Sequence, residues 1–491
     1  MLRRWKAYIF PAADGGEYRW GRIKASLLVL SFVLVCYSAV TSGGFWWSGR
    51  DCAQASLRFS GFWWSDPAPT NLSHIVFGIG GSARTWQQRR SYTELWWRPG
   101  EMRGHVWLDE KPAKGQAWPG TCPPFRVSAD ASRFGERAAP ARMARIVAEA
   151  YWALGKEDER VRWLVMGDDD TVFFPENLVA VLGKYDHQEM RYIGAPSESV
   201  EQDVMHSYGM AFGGGGFALS RPAAAALAGV IDGCLDRYNY FYGSDQRVQS
   251  CLSELGVPLT REPGFHQMDI RGDAYGMLAA HPVAPLVSLH HLDYVKPISP
   301  RGGTQIEALR SLVEVSRFDP ARIIQQCFCY ESGWGWGGGY KWSVSVSWGY
   351  TVQLYPWVLA PKDLEVPLQT FRTWRSSSNG PFTFNTRPLE PDPCDQPLMF
   401  FLGRVQELEG SVATMTEYSR NESEAGGPCD RRGFDAALKV EAVRAFAPRM
   451  DPTAWSRAPR RQCCRTRRTG KGKVLEVRIR DCDPGEITSP P

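Results

Sequence analysis

Surplus charge is nearly missing from this sequence. Its 57 lysines and arginines are matched by 53 aspartates and glutamates over 491 residues, a formal net charge of +4. So small a balance gives no basis for a nucleic-acid partner. Partner cysteine pairs and histidines are missing around Cys327-Phe328-Cys329 and Cys463-Cys464, which disfavours zinc and leaves disulfides as the better reading. No charged side chain interrupts residues 25–47; this apolar run starts late and no clear small-x-small cleavage site follows it, which disfavours a removable signal peptide.

What fills residues 25–47 is apolar, with Leu27-Leu28-Val29-Leu30-Ser31-Phe32-Val33-Leu34-Val35 at its centre, and the length spans a bilayer. Arg3, Arg4, Lys6, Arg19, Arg22 and Lys24 precede it, against Arg50 and Arg58 shortly after. The more basic flank stays in the cytosol. The expectation is a single-pass type II signal anchor: residues 1–24 a cytosolic tail, 25–47 the transmembrane helix, 48–73 a stem, and the remainder in a secretory lumen. Most of the eleven cysteines beyond the anchor pair in such a compartment. Eleven is odd, so one thiol is free or links two chains, which leaves a homo- or hetero-oligomer open. The sequons Asn71-Leu72-Ser73 and Asn421-Glu422-Ser423 fit the same side of the membrane.

The length exceeds one typical core. Strand patterns at His74–Gly80, Gly104–Asp109 and the run into Asp168 alternate with helical patterns at Thr85–Trp97, Arg142–Leu154 and from Pro175. That alternation implies an α/β body over residues 74–315 with a mostly parallel sheet, whose ligand site lies at the carboxyl ends of the strands. From Tyr340 to Leu354 apolar and small polar residues alternate, which predicts a long strand or a hairpin with one buried face. Residues 316–491 therefore read as a β-rich accessory region. Its Trp334, Trp336 and Trp374 can stack on sugars or simply pack, and the basic stretch Arg457–Lys473 reads by default as a solvated loop.

The chemistry concentrates at Trp163-Leu164-Val165-Met166-Gly167-Asp168-Asp169-Asp170-Thr171. Three consecutive carboxylates repel one another unless a positive charge sits among them. Alternation along an extended segment sends Asp168 and Asp170 to one side and Asp169 to the other, so an Asp-x-Asp pair can share one Mg²⁺ or Mn²⁺. A solvated acidic turn is the plain alternative. Gly213-Gly214-Gly215-Gly216 lets a ligand or backbone approach closely. Ser244 or Asp245 caps the helix that follows, or does chemistry.

Taken in order, the anchor, His74-Ile75-Val76-Phe77-Gly78-Ile79, Trp107-Leu108-Asp109, the Asp168 run, Gly213–Leu219 and Gly243-Ser244-Asp245 resemble the Fringe-like β-1,3-glycosyltransferases. Glu262-Pro263-Gly264-Phe265-His266-Gln267 and Leu289-His290-His291-Leu292-Asp293 make the plant Fringe-related branch the nearest match. The resemblance covers about residues 70–310. It implies a GT-A fold (Rossmann-like, mostly parallel sheet), a UDP-sugar donor, Mn²⁺ or Mg²⁺, an inverting hexosyltransferase forming a β-1,3 linkage, and a Golgi membrane location with a luminal catalytic domain. Acceptors left open are glycans, glycoproteins and small molecules. The residues implied are Asp168 and Asp170 with His291 at the metal, His290 and His266 being alternates, and Asp245 as the catalytic base. Asp169, Gly80, Ser82, Arg89, Asp109, Gly214 and Gly215 are candidate donor contacts. Where the family has an acidic residue before the base, this chain has Ser244. Two other classes compete: a haloacid-dehalogenase-type phosphotransferase, whose strand-terminal Asp-x-Asp the run also fits, and a non-catalytic glycan-binding or assembly protein on the same fold.

Overall fold

Trp163-Leu164-Val165-Met166 is apolar on both faces, as a central strand must be, and it lies in the middle of a mixed sheet. The computed structural model describes residues 68–301, 303–332, 340–420, 429 and 434–489. The expected cytosolic tail and anchor, the stem up to residue 67, Cys36, Cys52, Trp334, Trp336 and Asn421 lie outside those residues. No helix among the described residues is long and apolar enough to cross a membrane.

The first strands are β1 (Ile75–Gly80), β2 (Arg103–Leu108), β3 (Phe125–Val127), β4 (Trp163–Asp168), β5 (Val172–Phe173), β6 (Tyr192–Gly194), β7 (Phe217–Ser220) and β8 (Leu259–Arg261). Seven of them form one sheet in the order β3-β2-β1-β4-β7-β6-β8. Every pairing is parallel except those of β7, which runs antiparallel to both β4 and β6. Reversing β7 brings its start, directly after Gly213–Gly216, beside the carboxyl end of β4. The short β5 leaves this sheet and joins Phe265–His266 and Ser288–Leu289 in a three-stranded patch.

Helices Ala138–Ala150, Arg221–Arg237 and Ser244–Glu254 share one apolar core against one face of the sheet. Val248 and Leu252 turn inward at helical spacing, and the Cys234–Cys251 disulfide ties the last two helices together. The other face carries a larger core that runs without a break from Ile75 to Ile479.

The segment Tyr340–Leu354 folds as a hairpin of Tyr340–Ser347 and Thr351–Tyr355, turning through Gly349 at φ 78°. Its polar face is buried too, against the expectation of one buried side. Ser347 Oγ donates to backbone carbonyls, Ser345 Oγ accepts from Gln326, and Thr351 Oγ1 donates to the carbonyl of Phe400. Small hydroxyl side chains can be buried when each finds a partner, and these do.

The hairpin belongs to an eight-stranded sheet whose outer strands are Gln326–Ser332 and Cys463–Thr469. The basic stretch read as a solvated loop therefore supplies an edge strand. Arg465 and Arg467 alternate outward into solvent, which is why the charge was compatible with a strand. The two edges are joined by the Cys329–Cys464 disulfide, the Arg468–Glu331 ion pair at 3.0 Å and Thr466 on Glu331. Cys394–Cys429 and Cys463–Cys482 complete the described disulfides, while Cys122 and Cys327 are buried free thiols.

Candidate metal and catalytic site

The three aspartates are not extended. Strand β4 ends at Asp168, and a turn closed by the Thr171 amide on the Asp168 carbonyl at 3.0 Å carries Asp169 and Asp170. Thr171 Oγ1 accepts from the Asp168 amide at 2.8 Å and donates to the Gly214 carbonyl at 2.7 Å, which pins the turn to the glycine loop. Asp168 and Asp170 still converge, and Asp169 still diverges, now because the turn rather than the pleat separates them.

The histidine that meets them is His290, not the expected His291. Ligand atoms of Asp168, Asp170 and His290 lie within 4.8 Å of one another. His290 Nε2 is 3.1 Å from Asp170 Oδ1 and 3.8 Å from Asp168 Oδ2. His291 takes the left-handed conformation at φ 60° and gives its Nδ1 to Asp269 Oδ1 at 2.7 Å. Its ring stacks on His290 on one side, centroids 4.1 Å apart, and on Trp374 at 4.8 Å with an interplanar angle of 5°. A side chain from beyond residue 316 thus reaches the cluster through a stack of three rings. The third alternate, His266, lies elsewhere, bonded to Glu198 and His281.

The cluster is under electrostatic tension. Burial pushes Asp168 up to about 7, with Asp170, Asp245 and Asp169 adding repulsion against the pull of His290. Burial also raises Asp169, to about 6. Burial works against ionising Asp170, yet His290 and Arg89 hold its carboxyl below the ordinary range, and the same carboxylates hold the His290 imidazolium above its usual value. Asp170 is 1% exposed, and its two oxygens face the charged groups of His290, at 3.1 Å, and Arg89, at 3.2 Å, while Nδ1 of His290 is buried without a hydrogen-bond partner. Two carboxylates and an imidazole whose ligand atoms converge in a buried site suit Mn²⁺ or a similar divalent ion, so the residues present fit the expected cation.

Asp245 stands across a small cavity whose lining includes Asp168, Gly80, Gly213 and Ser244. It is not the helix cap, a position that Gly243 fills. Burial raises its carboxyl, opposed by the Gly213 amide, the Ser244 hydroxyl and His290.

Among the other expected contacts, Arg89 is held by Asp169 at 3.0 Å and Asp170 at 3.2 Å, with Asp293 at 3.9 Å. Asp293 in turn accepts from the hydroxyl of Tyr92. Ser82 Oγ and the Ala83 amide both donate to Asp109 at 2.9 Å, closing the turn after β1. Gly80 sits in the sheet between Trp107 and Asp168, where a Cβ would strike Met143. The glycine loop makes room for the site's own side chains. A Cβ on Gly213 would lie 2.5 Å from Asp245 Oδ1, and one on Gly214 would lie 2.0 Å from His290 Cε1. Gly215 donates to Gln267 Oε1 at 2.7 Å. Asp269 and Tyr92 carry no signal in their local spacing, and Gln267 stands in a recognised phrase without a role assigned to it.

A family model described as "Protein of unknown function, DUF604" matches residues 202–464. The "Beta-1,3-glucosyltransferase" of Homo sapiens is 31% identical over 121 residues, 23% of this chain and 22% of the relative. The protein of the same name from Mus musculus is 32% identical over 114 residues, again 23% and 22%. The matched part spans about a fifth of the length of these curated relatives.

Proposed function

The chain belongs to the DUF604 family, and we propose that it is a metal-dependent, inverting glycosyltransferase of the Fringe-like type with a GT-A fold, moving a sugar from a UDP-sugar to an acceptor hydroxyl. The observation that carries this is the meeting of Asp168, Asp170 and His290 at the carboxyl end of β4, with Asp168 and Asp245 lining one small cavity. The partial likeness to two proteins named Beta-1,3-glucosyltransferase supports the β-1,3 class. Asp168, Asp170 and His290 would hold the divalent ion, which when bound supplies positive charge against the diphosphate leaving group.

Asp245 serves as the base that takes the proton of the acceptor hydroxyl. A carboxylate whose pKa is raised by burial holds a proton more strongly than an exposed one, so when ionised it is the stronger base. One base and no enzyme nucleophile give inversion. Arg89 anchors Asp169 and Asp170, and Thr171 locks the turn to the glycine loop, so both sides of the site are held before substrate arrives. The direct test incubates the full chain with a panel of UDP-sugars and glycan, glycoprotein and small-molecule acceptors, with Mn²⁺ or EDTA. Transfer that needs the ion is expected. Metal-independent turnover, or UDP binding that Mn²⁺ leaves unchanged, would remove the assignment.

The four disulfides support a secretory lumen, and with residues 25–47 they fit a Golgi type II protein whose body is luminal. Carbonate extraction that leaves the chain in the membrane is the expected result, and release into the supernatant would refute it.

A further inference from the structure

A second cavity among the described residues lies away from the aspartates. It measures about 600 Å³, within the size range of small-molecule sites. One wall is the carboxyl ends of β6 and β8 with Glu262, Pro263, Phe265 and His266, and the other includes Lys362, residues 365–367, 383–385 and Arg461. Phe265, Met277, Val283, Pro367 and Phe384 make much of its surface apolar.

Its charges are unevenly satisfied. Each carboxylate of the lining is engaged within the protein. Glu198 accepts from His266 Nδ1 at 2.8 Å and from the Met268 amide at 2.6 Å, Glu262 is held by Lys184 and the Tyr185 hydroxyl, and Glu365 pairs with Lys362 at 2.9 Å. The two guanidinium groups are different. Among the described residues, Arg261 bonds only the carbonyl of Tyr208. Arg461 bonds the carbonyl and side chain of Gln326 and lies 4.4 Å from the Phe328 ring. Neither makes a direct ion pair among the described residues: Asp203 feels Arg261 and Glu365 acts on Arg461 only through space, Glu365 being paired to Lys362, and Arg461 is partly buried. A guanidinium at a cavity wall whose hydrogen bonds go only to neutral groups keeps donors for a planar anion.

We propose that this cavity is a binding site, separate from the Asp168–Asp170–His290 cluster, for a small molecule that joins an apolar body to a carboxylate or similar anionic group. Arg261 and Arg461 hold the anion, and the Phe265 and Phe384 side takes the apolar part. The proposal goes beyond sugar transfer and stands or falls independently of it.

Equilibrium dialysis of the full chain with 2-naphthoate, and with its neutral counterpart 2-naphthylmethanol, tests the assignment. One saturable naphthoate site per chain is expected. Arg261→Gln and Arg461→Gln should each weaken naphthoate about 10-fold, the loss of a charge-assisted bond, and leave the neutral probe unchanged. UDP with Mn²⁺ should not displace either probe. Arg261 is exposed, so its variant carries the test even where the Arg461 variant perturbs the fold. Equal weakening of both probes, no weakening, absence of saturable binding, or displacement by UDP would each overturn the proposal.

Discussion

Exchanging His290 and His291 for asparagine, one at a time, asks which of two adjacent histidines binds the ion. His290 is 3% exposed, has its Nε2 at 3.1 Å from Asp170, and is sandwiched between Gly214 and the His291 ring. His290→Asn removes one of three donor groups, so Mn²⁺ affinity should fall by at least about 100-fold, roughly 2.7 kcal/mol. His291→Asn takes away only a ring that stacks on the ligand and its bond to Asp269. Outer supports of this kind are worth about 10–100-fold, at most about 2.7 kcal/mol. Without metal, His290→Asn should also destabilise the fold, because Asp168 and Asp170 lose the imidazolium and keep only the Arg89 side of their neutralisation. Titration of Mn²⁺ by the loss of its free-ion EPR signal gives the affinities, and thermal melting gives the stability. A larger loss of Mn²⁺ affinity in His291→Asn than in His290→Asn would refute the reasoning.

Trp374→Ala should lower Mn²⁺ affinity about 10-fold by freeing His291, and Trp374→Phe should restore most of it, since a ring at 4.8 Å still stacks; equal effects of both variants in the same titration would deny the ring stack a role. Gly214→Ala should destabilise by about 1–3 kcal/mol and abolish metal binding, because the new methyl lies where the His290 ring is. Gly229→Ala is the control: it sits in helix Arg221–Arg237 with open space around its Cβ position and should stabilise by about 0.5–1 kcal/mol. A Gly214→Ala protein that melts and binds Mn²⁺ like wild type would show that the loop is not packed on the histidine.

How much could be read from the residues alone depended on the range of the interactions. Asp168 at a strand end, Asp245 at the start of a helix and the glycine run are local signals, and the sheet brings them together as strand–helix alternation implies. The choice between His290 and His291 is not local. It is made by Asp269 and Trp374, which draw His291 away from the carboxylates. The purpose of the glycines was also invisible, because the colliding atoms at Gly213 and Gly214 belong to Asp245 and His290, distant in sequence. Arg457–Lys473 misled for a different reason: its composition is that of a solvated loop, while its alternation and the pairing of Cys464 with Cys329 make Cys463–Thr469 an edge strand.

The central claim is chemical, and Asp245→Asn tests it most directly. Asparagine keeps the shape of the side chain beside Gly213, and the helix keeps Gly243 as its cap, so the fold should hold. It cannot take a proton from an acceptor hydroxyl. Turnover with the best UDP-sugar and acceptor should fall by about 10²–10⁴ while UDP affinity in Mn²⁺ stays near wild type. Wild-type transfer rates in this variant would contradict the account, since they would leave the inverting reaction without its base.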